Sequence, residues 1–132
     1  MTRKALKPFF IGLAVIFLGA FVFTFFNIYD FVPHLDKVFH ISGGIIIAWF
    51  FSNLWSEKLK RFDIFQRVIL FMALGALVGF FWEIMEYSTS QPPLMSHELL
   101  RHYIYGGNLT DTLGDLVADV FGGALFGLFL WA

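Results

Sequence analysis

The sequence predicts an all-α integral membrane protein, a bundle of four transmembrane helices, and three observations carry that expectation. The chain of 132 residues is 58% hydrophobic and 14% charged, whereas soluble domains run nearer a quarter charged. It holds 19 Phe residues, more than a water-soluble fold of this size could hide, because small domains keep much of their surface exposed. Its apolar residues fall into four runs of roughly 20, the length that crosses a bilayer. A single transmembrane domain, 1–132, accounts for the whole length.

The first run, 9–28, carries no charge and follows Arg3, Lys4 and Lys7. Such a start resembles a signal peptide, but the apolar stretch is too long and lacks a clean small-x-small cleavage site, so a retained helix is expected. The second run, 38–54, carries His40 near its start. The third, 68–84, ends on Glu83, and the fourth, 113–131, carries Asp115 and Asp119 in its first half. Pro33 marks a turn between the first two, and 55–67 is a polar loop. The connection 87–110 is the longest and includes a short amphipathic stretch, about 97–105. Ser96 suits its N-cap, Tyr103 and Tyr105 suit a membrane interface, and Gly106-Gly107-Asn108 would end it.

Basic residues set the orientation. Arg3, Lys4, Lys7, Lys58, Lys60, Arg61 and Arg67 share one side, leaving only Lys37 and Arg101 for the other. Both termini are therefore expected in the cytoplasm, in a plasma-membrane protein. The acids segregate oppositely. Only Glu57 and Asp63 fall on the basic side, while the other eight and all four histidines fall outside or in the outer half. Net charge is −1 with no basic tract, so nucleic acid is not a partner, and the absence of Cys removes disulfides and thiolate metal sites.

Three short motifs gather on that outer side. Asp36 and His40 are four apart, Glu83 and Glu86 three apart, and each pair shares a helical face. Asp111, Asp115 and Asp119 draw a stripe about 12 Å long down the last helix. An ionised Asp near a helix centre costs roughly 2.5–3.5 kcal/mol on the insertion scale, so such side chains turn inward and find partners. The expectation is a pocket built from Asp36, His40, Glu83, Glu86, Asp115 and Asp119. Its five carboxylates cannot all stay ionised unless a cation neutralises them. His40, Glu83, Asp115 and Asp119 are the candidate ligands, and Mg, Mn or Zn the candidate ions; no spacing selects among them. Blander readings stand beside this one: Asp111 as a cap, Glu86 solvated at the interface, His40 merely hydrogen-bonded, and His34, His97 and His102 in loops. Lys37, beside Asp36, is expected to reach out to the interface.

Gly43-Gly44, Gly122-Gly123 and the Gly75-x-x-x-Gly79 pair suit close helix packing around the pocket. Asp36-x-x-x-His40-x-x-Gly-Gly also matches Asp115-x-x-x-Asp119-x-x-Gly-Gly, and the segment 19–30 aligns without gaps on 75–86. This reads either as a 2+2 parallel internal repeat or as chance likeness between apolar sequences.

Leu35-Asp-Lys-Val-Phe-His40, Trp82-Glu-Ile-Met-Glu86 and the run from Asp111 to Gly123 together resemble the VanZ-like family and its YjdF-like relatives, small bacterial multi-pass membrane proteins. The resemblance covers roughly residues 30 to 130. It implies that Asp36, Lys37, His40, Glu83, Glu86, Asp115 and Asp119 matter. It also implies an envelope function, which in some members lowers susceptibility to glycopeptide antibiotics such as teicoplanin. Glu86 and Asp119 stand where VanZ-like members often have Gln and Asn, which places the chain nearer the YjdF side.

Three functions compete. The first is an envelope module whose pocket binds a membrane lipid headgroup, a lipid-linked wall precursor or a cation. The second is a divalent-metal-dependent hydrolase acting on lipid headgroups, with a Glu as base. The third, a proton- or cation-coupled transporter, needs acids in the cytoplasmic half, and the membrane-spanning runs hold none there.

Overall fold

A computed structural model describes residues 3–26, 35–89, 91 and 108–130; the expected amphipathic stretch at 97–105, with His34, His97 and His102, lies outside the described residues. Among the described residues every regular element is helical. They are α1 (Arg3–Phe26), α2 (Leu35–Leu54), a one-turn α3 (Ser56–Leu59), α4 (Ile64–Thr89) and α5 (Leu109–Leu125), which continues as a π-helical turn, Phe126–Leu130. Among the described residues three spans are long and apolar enough to cross a membrane: Leu35–Leu54, Ile64–Ser88 and Leu109–Phe129. In α1 the described apolar stretch is shorter, Leu6–Gly19.

Local chemistry explains where the helices begin. Asp63 and Gln66 form a capping box at the start of α4: the Asp63 carboxylate accepts from the Gln66 backbone N–H at 2.8 Å, and the Gln66 side chain accepts from the Asp63 N–H at 3.1 Å. Asn108 caps α5 by accepting from the backbone N–H groups of Thr110 and Asp111. That cap starts α5 four residues before the apolar run begins at 113. Likewise α2 starts at Leu35 rather than 38, so Asp36 and Lys37 become first-turn residues, and α4 extends to Thr89, so Glu86 is helical.

Helices α2, α4 and α5 pack mutually, and α1 lies against α2. Residue pairings give directions. Gly114 meets Lys37 and Gly44 meets Gly123, so α2 and α5 run parallel. Gly79 meets Asp119 while Gly127 meets Val68, so α4 runs antiparallel to α5. Gly19 meets Phe39 and Gly12 meets Ile46, so α1 is antiparallel to α2.

The distribution of polarity is the reverse of a soluble protein's. Phe10, Phe17 and Phe21 of α1, Phe65, Phe80 and Phe81 of α4, and Val117, Phe121 and Phe129 near the chain's end all face outward. Buried instead are Ser52, Glu83, Asp115 and Asp119. Lipid tails are as apolar as Phe, so no hydrophobic force presses such helices together; close backbone packing and interhelical hydrogen bonds do that work. An apolar core does exist at one end, where Ala48, Leu59, Phe71, Leu74 and Phe126 bury one another, with Phe71 and Phe126 edge to face at 5.3 Å. On its flank Lys7 of α1 lies over the Trp49 ring at 5.7 Å. At the opposite end the interior is ionic.

Candidate functional site

The ionic end is formed by the N-termini of α2 and α5 and the C-terminus of α4. Each helix brings its acids there by simple periodicity: Asp36 and His40 one turn apart on α2, Asp111, Asp115 and Asp119 down one face of α5, Glu83 and Glu86 near the end of α4. The two parallel N-termini present positive dipole ends toward Asp36 and Asp111. Glu86, in the last turn of α4, sits at a negative dipole end, where a carboxylate gains nothing.

Two groups adjoin and share Asp115. In the first, the Lys37 ammonium donates to Asp36 Oδ2 at 3.0 Å, to Asp111 Oδ1 at 2.6 Å and to Asp115 Oδ1 at 2.7 Å. Its last reach, 3.3 Å to the Asp111 carbonyl, anchors it to the first turn of α5. The expectation that Lys37 points to the interface is therefore corrected. Its stem lies against Gly114, where a Cβ would stand 3.2 Å from Lys37 Cε, and three carboxylates on two helices are a stronger attraction than headgroup water. Asp111 is likewise more than a cap: Asn108 does the capping, and Asp111 holds Lys37. The residue signal was present, since Asp111 begins the same four-residue stripe as Asp115 and Asp119.

The second group is deeper. His40 Nδ1 is 3.0 Å from Asp119 Oδ2, and His40 Nε2 is 3.4 Å from Asp115 Oδ1. Glu83, 7% exposed, stands beside them with Thr112 as a hydrogen-bond partner. One of its oxygens, Oε1, is fully buried with no hydrogen-bond partner. One donor atom each from His40, Glu83 and Asp115 lie within 4.8 Å of one another, as do oxygens of Asp36, Asp111 and Asp115. The difference between these triads is occupancy by the protein's own cation: Lys37 fills the second and not the first. Glu86 stands one turn beyond Glu83 and accepts from the Trp82 indole N–H at 2.8 Å.

Glycines make this arrangement sterically feasible. A Cβ at Gly79 would overlap the Asp119 carboxylate, and one at Gly44 would overlap the Asp119 backbone carbonyl. At Gly75 the added carbon would stand 2.6 Å from that same carbonyl. Asp119 is thus clasped between bare backbone on α2 and on α4. A larger residue at Gly44 or Gly75 would hold the helices apart, and one at Gly79 would turn the Asp119 carboxylate off His40.

The structure accordingly gathers Asp36, His40, Glu83, Asp115 and Asp119 at one end, with Glu86 at the rim. Lys37, Asp111 and Thr112 join them; reasoning from residue spacing left these three out of the pocket. Among known proteins, one from Thermotoga maritima, named as an uncharacterized protein, is 30% identical over 108 residues, 81% of this chain and 53% of that relative. The chain spans about half the length of that curated relative. No solved structure matches it. Residues 1–132 match a family model described as predicted membrane protein (DUF2238), and the chain belongs to that family.

Proposed function

We propose that this is a plasma-membrane envelope protein whose outer-face pocket binds a positively charged ligand: a divalent cation, or the amine of a lipid headgroup or lipid-linked wall precursor. The observation that carries the reading is charge. Six acids (Asp36, Glu83, Glu86, Asp111, Asp115 and Asp119) meet one lysine and one histidine, and Glu83, though buried, leaves Oε1 without a donor. An unpaired buried acceptor is costly, by about 1–3 kcal/mol and more when charged. A bound cation removes that cost.

The same proposal takes α1 as a fourth span, since its 24 residues reach about 36 Å, and puts both termini in the cytoplasm. Seven of nine basic residues on one side support that orientation. The parallel run of α2 and α5 and their matching motifs support a duplicated two-helix unit. The VanZ-like resemblance of the ionic motifs supports an envelope role with an effect on glycopeptide susceptibility.

Melting the detergent-purified protein with a chelator, with divalent cations and with phosphatidylethanolamine tests the pocket. We expect at least one cationic ligand to raise the wild-type melting temperature. Glu83→Gln should melt at or above the ligand-free wild type and no longer respond. Indifference of the wild type to every cation and amine lipid, together with a destabilised Glu83→Gln, would leave a purely structural network.

A second reading, a metal-dependent hydrolase acting on lipid headgroups, is favoured by one feature. Three protein donors leave a coordination position open for water, the pattern of catalytic rather than structural zinc. Headgroup release from defined lipids, dependent on both metal and Glu83, would establish it.

A further inference from the structure

We infer that the deeper triad is a single divalent transition-metal site, with His40 Nε2, Glu83 and Asp115 as its ligands and Asp119 as the residue that positions His40. This deepens the pocket reading above and rests on it, naming the ligand and separating the roles of two aspartates that sequence spacing treats alike.

The argument begins with the imidazole. An ionised carboxylate only accepts hydrogen bonds, so with Asp119 Oδ2 at 3.0 Å, His40 Nδ1 is the nitrogen that carries the proton. The lone pair of the neutral ring then lies on Nε2. That atom faces Asp115, 3.4 Å from Oδ1. Two ligands held at about 2.0–2.1 Å from a tetrahedral ion are themselves roughly 3.4 Å apart. Metal-binding histidines nearly always donate their second ring N–H to a carboxylate or carbonyl in this way. Asp119 fits that role, since Gly43, Gly44, Gly75 and Gly79 stand against it and bring no side-chain donor to compete with His40.

Glu83 is the independent observation. It is 7% exposed, and Oε1 has no donor. A structural role would be expected to satisfy both oxygens; a ligand role needs one left over. Asp115 can serve two cations at once because a carboxylate offers two oxygens and about four lone-pair sites. The Lys37 ammonium takes one lone pair of Oδ1 and leaves the second for the ion that His40 Nε2 faces. The neighbouring triad of Asp36, Asp111 and Asp115 is closed to metal, since Lys37 donates to all three.

Ligand chemistry narrows the ion. One imidazole with two carboxylates suits Zn²⁺ or Mn²⁺, whereas Mg²⁺ prefers oxygen and keeps its waters.

The full chain, purified in detergent and stripped with a chelator, is dialysed against Zn²⁺, Mn²⁺ or Mg²⁺ and its metal counted by elemental analysis. We expect one Zn²⁺ or Mn²⁺ per chain and no retained Mg²⁺. His40→Gln, Glu83→Gln and Asp115→Asn should retain none. Glu57→Gln, whose carboxylate pairs with Lys60 at the exposed start of α3 and away from the pocket, should bind as wild type. Asp119→Asn should keep the stoichiometry but bind about 10–100-fold more weakly, the usual effect of losing an orienting partner. Nitrogen NMR of labelled histidine, with His40→Gln as the assignment control, reads the positioning role directly. Wild type should show one His40 tautomer, protonated on Nδ1, and Asp119→Asn a mixture.

Each variant is checked for helical content and monodispersity. Glu83→Asp, which keeps the charge but shortens the reach, replaces the Gln variant if that one aggregates, and should bind more weakly. Metal-free wild type, equal retention of Mg²⁺, or an Asp119→Asn as inert as Glu83→Gln would each overturn the inference. If wild type takes no metal yet melts higher with phosphatidylethanolamine, the pocket reading survives and the metal site does not. If neither ligand has any effect, both fall.

Discussion

Lys37 holds three carboxylates with one ammonium, and its removal should be felt at once. A Met in its place keeps the stem's packing against Gly114 but leaves Asp36, Asp111 and Asp115 to repel one another. Breaking a buried ion pair from one side costs roughly 3–5 kcal/mol. Lys37 retains 22% exposure, and water screens part of the repulsion, so a loss of about 2 kcal/mol is expected. Thermal melting of Lys37→Met in detergent checks it. Because the vacated triad is then open, added divalent cations should restore much of the lost stability to the variant. If the variant melts like wild type, Lys37 is not the counter-ion. His40 and Asp119 act differently: each satisfies the other, so replacing both with apolar residues should harm stability less than replacing one.

At the scale of helices, two glycines that look equivalent should fail differently. Gly44 faces the Asp119 backbone carbonyl, which cannot swing aside, so Gly44→Ala must push α2 from α5. Overpacking of this kind costs about 1–3 kcal/mol, and the melting temperature should fall. Gly79 faces the Asp119 carboxylate, the free end of a side chain. Gly79→Ala should therefore be milder for stability, yet it turns Asp119 off His40. The expected signature is a nearly unchanged melt with loss of the single His40 tautomer in nitrogen NMR. Equal destabilisation of the two variants would mean that helix separation alone governs both positions.

For the molecule as a whole, the outward ring of Phe and the inward cluster of acids place the protein in lipid with its ionic end near one surface. We expect that surface to be extracytoplasmic. A reporter fusion with alkaline phosphatase after Lys60 should be inactive, and one after Gly107 should be active. The reverse pattern would turn the pocket to the cytoplasm, while activity at neither or both would break the four-span topology.

How much of this was readable in the chain differs by level, for a physical reason. Membrane residence and helix type were determined by the sequence alone, because hydrocarbon admits only segments that satisfy their own backbone and are apolar over a span. The periodicity of Asp111, Asp115 and Asp119, or of Asp36 and His40, likewise needs only helical geometry. Helix starts were less legible. The Asn108 cap and the Asp63–Gln66 box lie in polar flanks that a hydropathy run excludes, so α5 and α4 each begin before the apolar stretch does. What only the tertiary structure decided is pairing across helices. Lys37 and Asp115 are 78 positions apart, and their 2.7 Å contact exists because Gly44, Gly75 and Gly79 let three backbones close on Asp119. Spacing along one helix assigns a side chain to a face but not to a partner. It therefore could not tell the aspartate that holds the lysine from the one that orients the histidine, nor show that Glu83 keeps an oxygen unclaimed.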